Sequence, residues 1–110
     1  MTRSVSQLAA TAELAEVDGQ PHVPAGAFAV SDGSYYSHSE GWLLLNLTDA
    51  AGTQRHQLPD RLNGCCGLDG CDGPNTLCSN GHEIGTERSD CWMAHALTLD
   101  PGSVTREDLA

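Results

Sequence analysis

Lysine is absent from this 110-residue chain, and phenylalanine and isoleucine occur once each. Leu, Ile, Val and Phe together make up 20 of the 110 residues, while the net charge is −10. That apolar share lies under the ~20% at which, with high net charge, a chain ceases to bury enough surface to fold on hydrophobic packing alone. The five basic residues, Arg3, Arg55, Arg61, Arg88 and Arg106, are scattered. No basic stripe exists to meet phosphates, which argues against nucleic acid as a partner. No apolar run approaches the ~20 residues of a membrane span. The N-terminal stretch carries Glu13 and Glu16 where a secretory signal would be apolar, so no membrane role and a cytoplasmic location are expected.

What the chain does have is clustered. All five cysteines, Cys65, Cys66, Cys71, Cys78 and Cys91, fall within 27 positions, with His82 and His95 in and just after the run. In a reducing compartment clustered cysteine more often binds metal than forms disulfides. An odd count also forbids complete internal pairing. A small acidic chain poor in core residues and rich in soft ligands is expected to use a metal ion to stay folded.

One domain is expected at this length, in three regions: helix and connector over 1–24, strands and a hairpin over 25–60, and a Cys-rich metal-binding module over 61–110. Val5, Leu8, Ala12 and Ala15 approximate one helical face, predicting a short helix over 4–16 that Gly19 and Pro21 end. Phe28 and Val30 mark a strand over 25–32, and Tyr35-Tyr36 a short one. The run Gly41-Trp42-Leu43-Leu44-Leu45-Asn46-Leu47 predicts a strand, and its apolar continuity predicts burial on both faces. Residues 48–52 read as a hairpin loop returning to an exposed edge strand over 53–58. Further strands are expected over 83–87 and 94–100, with a short capped helix over 103–106. Residues 61–80 form a glycine-punctuated loop too long to stand unaided in a compact domain. The fold class expected is therefore α+β: a small, mostly antiparallel β domain with a short N-terminal helix and a zinc-stapled C-terminal half.

The ligand candidates are Cys65, Cys66, Cys78, His82, Cys91 and His95, of which four would hold one structural Zn²⁺, the favoured set being Cys78 and Cys91 with Cys66 (or Cys65) and His82. Cys78 and Cys91 each open a Cys-x3-His unit, and Gly81 relieves the turn between Cys78 and His82. Cys65 and Cys66 are adjacent, a pair of which one member usually ligates. Cys71 lies between Asp69 and Asp72, which raise thiol pKa values and disfavour a catalytic nucleophile. Asp69, Asp72 and Asn75 suggest a calcium loop but lack the EF-hand spacing, and a turn with Asx caps explains them more simply. Asp90 is either an acceptor for a ligating histidine or a solvated carboxylate. Trp92 is expected to pack over the site, Trp42, Tyr35 and Tyr36 to belong to the core and sheet faces, and His22, His38 and His56 to the surface.

The stretch from Asn63 through Cys65, Cys66, Cys71 and Cys78 to Cys91-Trp92 resembles small uncharacterised bacterial proteins with a zinc-ribbon-like half. The resemblance implies a metal-stabilised β module without an established activity. The chain departs from ordinary ribbons in having no CxxC knuckle, which leaves the ligand set open. The expected function is a non-catalytic, acidic, zinc-binding interaction module for a protein partner, basic in charge, of inhibitor, immunity or accessory type. Two alternatives stand beside it. One is a metal hydrolase with Glu83 or Glu87 as base and His95 free. The other is a redox or metal sensor built on Cys65-Cys66.

Overall fold

The structure, a computed structural model, describes residues 5–8, 14–36, 39–50 and 52–103. It is a mixed seven-stranded sheet rather than the expected α+β arrangement. The strands are β1 (Ser6–Gln7), β2 (Ala27–Val30), β3 (Leu43–Leu45), β4 (Gln54–Arg55), β5 (Thr76–Leu77), β6 (Glu83–Arg88) and β7 (Ala96–Leu99). Their order across the sheet is β1-β2-β3-β7-β6-β5-β4. The helical elements among the described residues are two single 3-10 turns, Leu47–Asp49 and Pro59–Arg61.

The N-terminal helix is the main correction. Ser6 and Gln7 are extended and pair in parallel with Ala27 and Phe28. Ser6 N–H donates to Gly26 O (3.0 Å) and Leu8 N–H to Phe28 O (2.8 Å). Helix propensity is a weak prior, and a short alanine-rich helix with a thin apolar face is marginal in water. Pairing along β2 gives the Ser6 and Leu8 amides their acceptors, and Val5 packs against the core. Residues 4 and 9–13 of the expected helix lie outside the described residues, as does most of the helix expected over 103–106.

The run of three leucines behaves as its continuity predicts. Leu45 joins Phe28, Leu97 and Leu99 on one face, with Leu43 packed against them. Leu44 joins Ala27, Ala29, Ala96, Val23 and Tyr36 on the other. The registers Phe28↔Leu45↔Leu97 and Ala29↔Leu44↔Thr98 carry this alternation across three strands. Ile84 is the extra residue where pairing steps from Thr76↔Gly85 to Leu77↔Glu83, a β-bulge, and it joins the first cluster.

The expected hairpin after β3 does not form. Asn46 instead caps a 3-10 turn, its Oδ1 accepting from Thr48 N–H (2.9 Å) while its Nδ2 donates to Val23 O (3.0 Å). The strand beside β3 is β7, whose Leu97 and Leu99 match the apolar face of Leu43 and Leu45. The polar β4 stays at an edge, as expected, but of β5. Tyr35 and Tyr36 are not a strand: Tyr36 O–H donates to Ala94 O (2.6 Å) and Tyr35 Oη accepts from Ala94 N–H (2.8 Å). His22, expected at the surface, is buried, stacked on Tyr35 with ring centroids 5.0 Å apart. His56 is half-buried, and His38 lies outside the described residues.

Candidate metal centre

Two segments that flank the sheet converge. The first runs from Asn63 to Asp69 and closes on itself, Asp69 N–H donating to Asn63 O (2.9 Å). The second is Ser89–Trp92, leaving the end of β6. Ser89 N–H donates to Leu68 O (2.8 Å) and Ser89 Oγ accepts from Leu68 N–H (3.1 Å), so the two segments are laced side by side. Leu68 is buried beneath them. Gly67 permits this approach, since a Cβ there would collide with Ser89 O.

Asp90 joins the segments. The residue is 1% exposed, and its carboxylate accepts four hydrogen bonds. Oδ2 takes Cys65 N–H (2.9 Å) and Trp92 Nε1–H (2.9 Å). Oδ1 takes Cys66 N–H (2.9 Å) and Cys91 N–H (2.7 Å). These donors, the amides of Cys65 and Cys66 above all, hold its carboxyl well below the usual carboxylate range. The carboxylate thus orients the backbone of three cysteines at once. Neither reading open in the sequence describes it: the carboxylate is buried rather than solvated, and it accepts from amides and an indole rather than from a ligating histidine. The ring of His95 meets the backbone carbonyl of Asp90 (Nε2···O 3.0 Å).

The sulfurs of Cys65, Cys66 and Cys91 lie within 4.8 Å of one another, and all three residues are exposed. The adjacent pair Cys65 and Cys66, expected to contribute a single ligand, stands side by side with Sγ···Sγ at 3.9 Å. A tetrahedral ion with metal–sulfur bonds of about 2.3 Å separates its sulfurs by about 3.8 Å. The group therefore stands at metal-binding distance. The thiol of Cys65 is raised by its contact with Cys66, then by the charges of Cys66 and Asp90. That of Cys91 is pushed up to about 12 by its contact with Cys66, by burial and by Asp90. Left without a cation these thiols stay protonated, and a cation is what would draw the protons off.

The other sequence candidates sit elsewhere. Cys78 is half-buried and packs against the Leu45–Leu97 cluster. It opens the tight turn between β5 and β6, with Gly81 N–H on Cys78 O (2.9 Å) and Gly81 at φ 84°. His82, at the end of that turn, is exposed. His95 is half-buried between its contact to Asp90 O and a bridge to Pro21. Cys71 is exposed, its amide donating to Asp69 Oδ1 (2.9 Å) in the Asx turn that the sequence suggested. Burial and the charge of Asp69 raise its thiol.

Trp92 is hydrogen-bonded to the same carboxylate as the cysteine amides. It is 56% exposed, tethered through Nε1 to Asp90, and lines a cavity of about 380 Å³ with Tyr35, Tyr36, Arg88 and Met93. Glu83 and Glu87 are engaged away from the cysteines. Glu83 Oε2 pairs with His56 Nε2 (2.8 Å) and Arg61 Nη1 (2.8 Å). Glu87 Oε2 accepts from Ser89 Oγ–H (2.7 Å) and faces Arg55 at 3.7 Å. Sequence reasoning missed the organising role of Asp90. The available signal was an acidic residue immediately before a cysteine, which by itself names no partner. Among the described residues, no helix is long and apolar enough to cross a membrane. No family model matches the chain, and searches of curated proteins and of solved structures find no significant match.

Proposed function

We propose that this protein is a non-catalytic zinc-binding interaction module, in which Cys65, Cys66 and Cys91 hold the ion. The observation that carries the reading is the convergence of three thiols from two segments whose amides share one carboxylate. Soft thiolates favour Zn²⁺ or Cu⁺ over hard cations. The Cys65–Cys66 sulfur separation of 3.9 Å is compatible with the tetrahedral shell of zinc.

The non-catalytic reading is supported by the engagement of Glu83 and Glu87 at other partners, which leaves neither as a base beside the thiols. Three thiolates also outweigh a divalent ion in charge, which blunts its power to acidify water. The raised thiols of Cys65 and Cys91 speak against a fast-reacting sensor. With 15 acidic residues against 5 arginines, the module would dock on a basic protein in the cytoplasm, as an inhibitor, immunity or accessory subunit.

Metal analysis of the purified chain tests the metal reading. It expects one zinc per chain, lost in Cys65→Ser, Cys66→Ser and Cys91→Ser and kept in Cys78→Ser. Full occupancy in all four variants would end it. The partner reading expects capture of a basic protein that weakens as salt rises.

A further inference from the structure

Tetrahedral zinc takes four ligands, and the cysteine group offers three. Among the described residues no fourth donor joins that group. Cys78 is packed against the apolar core, and the Cys71 sulfur lies 3.8 Å from Asp69 O. His82 is exposed at the turn between β5 and β6, and His95 Nε2 is engaged by Asp90 O. All three ligand cysteines are exposed, so an ion held there is reached from outside the protein.

Charge decides what can complete the shell. Three thiolates on a divalent ion leave one net negative charge. The Asp90 carboxylate, met by four hydrogen-bond donors, lies on the amides of the same cysteines. The chain as a whole carries −10. A fourth thiolate or a carboxylate would add another negative charge to this field, whereas an imidazole adds none. Like charges at such separations cost free energy even at a protein surface. A neutral donor is therefore favoured over an anionic one, and among neutral donors imidazole is a better zinc ligand than water.

The surroundings fit a protein as its source. Trp92 directly follows Cys91, is 56% exposed, and is tethered by its indole N–H to Asp90. A large aromatic surface tied to the same carboxylate as the three cysteine amides is the kind of anchor on which interfaces concentrate their binding energy. The surplus of carboxylates draws basic surfaces toward it.

We infer that the fourth position of the ion at Cys65, Cys66 and Cys91 is filled by the imidazole of a histidine on a basic partner protein, seated against Trp92. This rests on the metal-binding reading above and names the partner group that the metal would take. Metal binding and partner binding are then one event: the partner is captured by coordination, and its histidine must be neutral to bind. Charge attraction brings it in, and the ligand bond sets how long it stays.

The test uses the full chain loaded with Co²⁺, whose d–d absorption reports the shell directly. Two probes are added: imidazole, and a Lys/Arg-rich peptide carrying one histidine. The expected result is a saturable spectral change with both, the peptide acting at roughly ten-fold or more lower concentration than imidazole and weakening with salt. The change is expected to persist in His38→Ala, His82→Ala and His95→Ala, and to vanish when the peptide's histidine is replaced by alanine. Trp92→Ala is expected to weaken the peptide more than imidazole. A spectrum that ignores saturating imidazole overturns the inference. So does one whose resident bands change in any of the three histidine variants, because the shell is then completed from within the chain. Peptide binding without a spectral change also overturns it, since the contact is then not coordination. Failure of the metal reading looks different: no stoichiometric Co²⁺ uptake, or uptake unaffected by Cys65→Ser, Cys66→Ser and Cys91→Ser. Either result removes both.

Discussion

Replacing Asp90 by asparagine changes two carboxylate oxygens into one oxygen and one NH₂ with almost no change in shape. In the native protein each oxygen serves two donors: Cys65 N–H and Trp92 Nε1–H on Oδ2, Cys66 N–H and Cys91 N–H on Oδ1. Whichever way the amide is turned, one pair of donors loses its acceptor and faces N–H groups instead. If Oδ2 becomes the NH₂, Cys65 and Trp92 are released; if Oδ1 does, Cys66 and Cys91 are. Either flip loosens at least one of the three thiols relative to the others. Removing a group that orients metal ligands typically costs about 10–100-fold in metal affinity. Asp90→Asn is therefore expected to bind zinc about 10–100-fold more weakly, measured by competition against a chromophoric chelator. Hydrogen exchange should speed up at one of the two amide sets, Cys65 alone or Cys66 with Cys91, and that set identifies the flip. The carboxyl is held below its ordinary value of 3.8 by these donors. The tie is thus fully present above pH 3.8 and lost as pH falls through the lowered pKa. Unchanged zinc affinity with all three amides still protected would refute the reasoning. So would an affinity loss no larger than the fall in the urea midpoint accounts for.

Three further outcomes are expected. Leu97, 2% exposed in one cluster with Leu45 and Ile84, should cost about 2–5 kcal/mol when cut to alanine, read from urea unfolding. Gly67→Ala places a Cβ against Ser89 O, so it should prise the cysteine segment from Ser89–Trp92 and lower zinc affinity. The β7 and β6 amides should keep their exchange protection in that variant. Glu83 is held below its ordinary 4.5 by His56 first and then by Arg61, so its pairing stabilises the fold above pH 4.5 and fades as pH falls through the lowered value. The stability gap between wild type and Glu83→Gln should accordingly be present at pH 7, stay under about 1 kcal/mol for so exposed a pair, and shrink by pH 3.

The strands that could be read in the sequence are those whose apolar pattern is self-sufficient. Ala27–Val30, Leu43–Leu45 and Ala96–Leu99 fall inside predicted strands, Glu83–Arg88 overruns the predicted 83–87 by one residue, and the three leucines are covered on both faces as their continuity requires. Their pairing was not readable. A glycine after Asp49 looks like a hairpin locally, yet β3 gains more by meeting Leu97 and Leu99 than by meeting the polar Gln54–Arg55. The N-terminal helix failed for a related reason. The alanines favour helix only slightly, and the open edge of β2 offers acceptors to the amides of Ser6 and Leu8. At the candidate site, clustering in sequence foretold clustering in space for Cys65, Cys66 and Cys91. It could not foretell that the turn after Cys78 would direct that thiol to the core. Nor could it reveal Asp90, whose role depends on two segments 25 residues apart in the chain lying side by side.

The sequence argues that a core so small needs a cation to fold, but the distribution of buried groups argues for a more local dependence. Leu45, Leu97, Leu99 and Val23 are fully buried within the sheet and its two faces, with no cysteine of the metal group among their neighbours. The cysteine segments hold far less: Leu68 is the buried aliphatic side chain of 63–69, and hydrogen bonds to Asp90 and Ser89 supply most of the rest. Removing the metal should then open 63–69 and 89–92 while the strands stay closed, because opening one segment does not expose the leucine clusters. Hydrogen exchange before and after EDTA distinguishes the two possibilities. The local reading expects exchange to rise at the amides of Cys65, Cys66, Leu68 and Cys91, with those of Leu44, Thr86 and Thr98 unchanged. A uniform rise across β3, β6 and β7 would mean that the ion supports the whole sheet, and the separation of core from metal centre drawn here would be wrong.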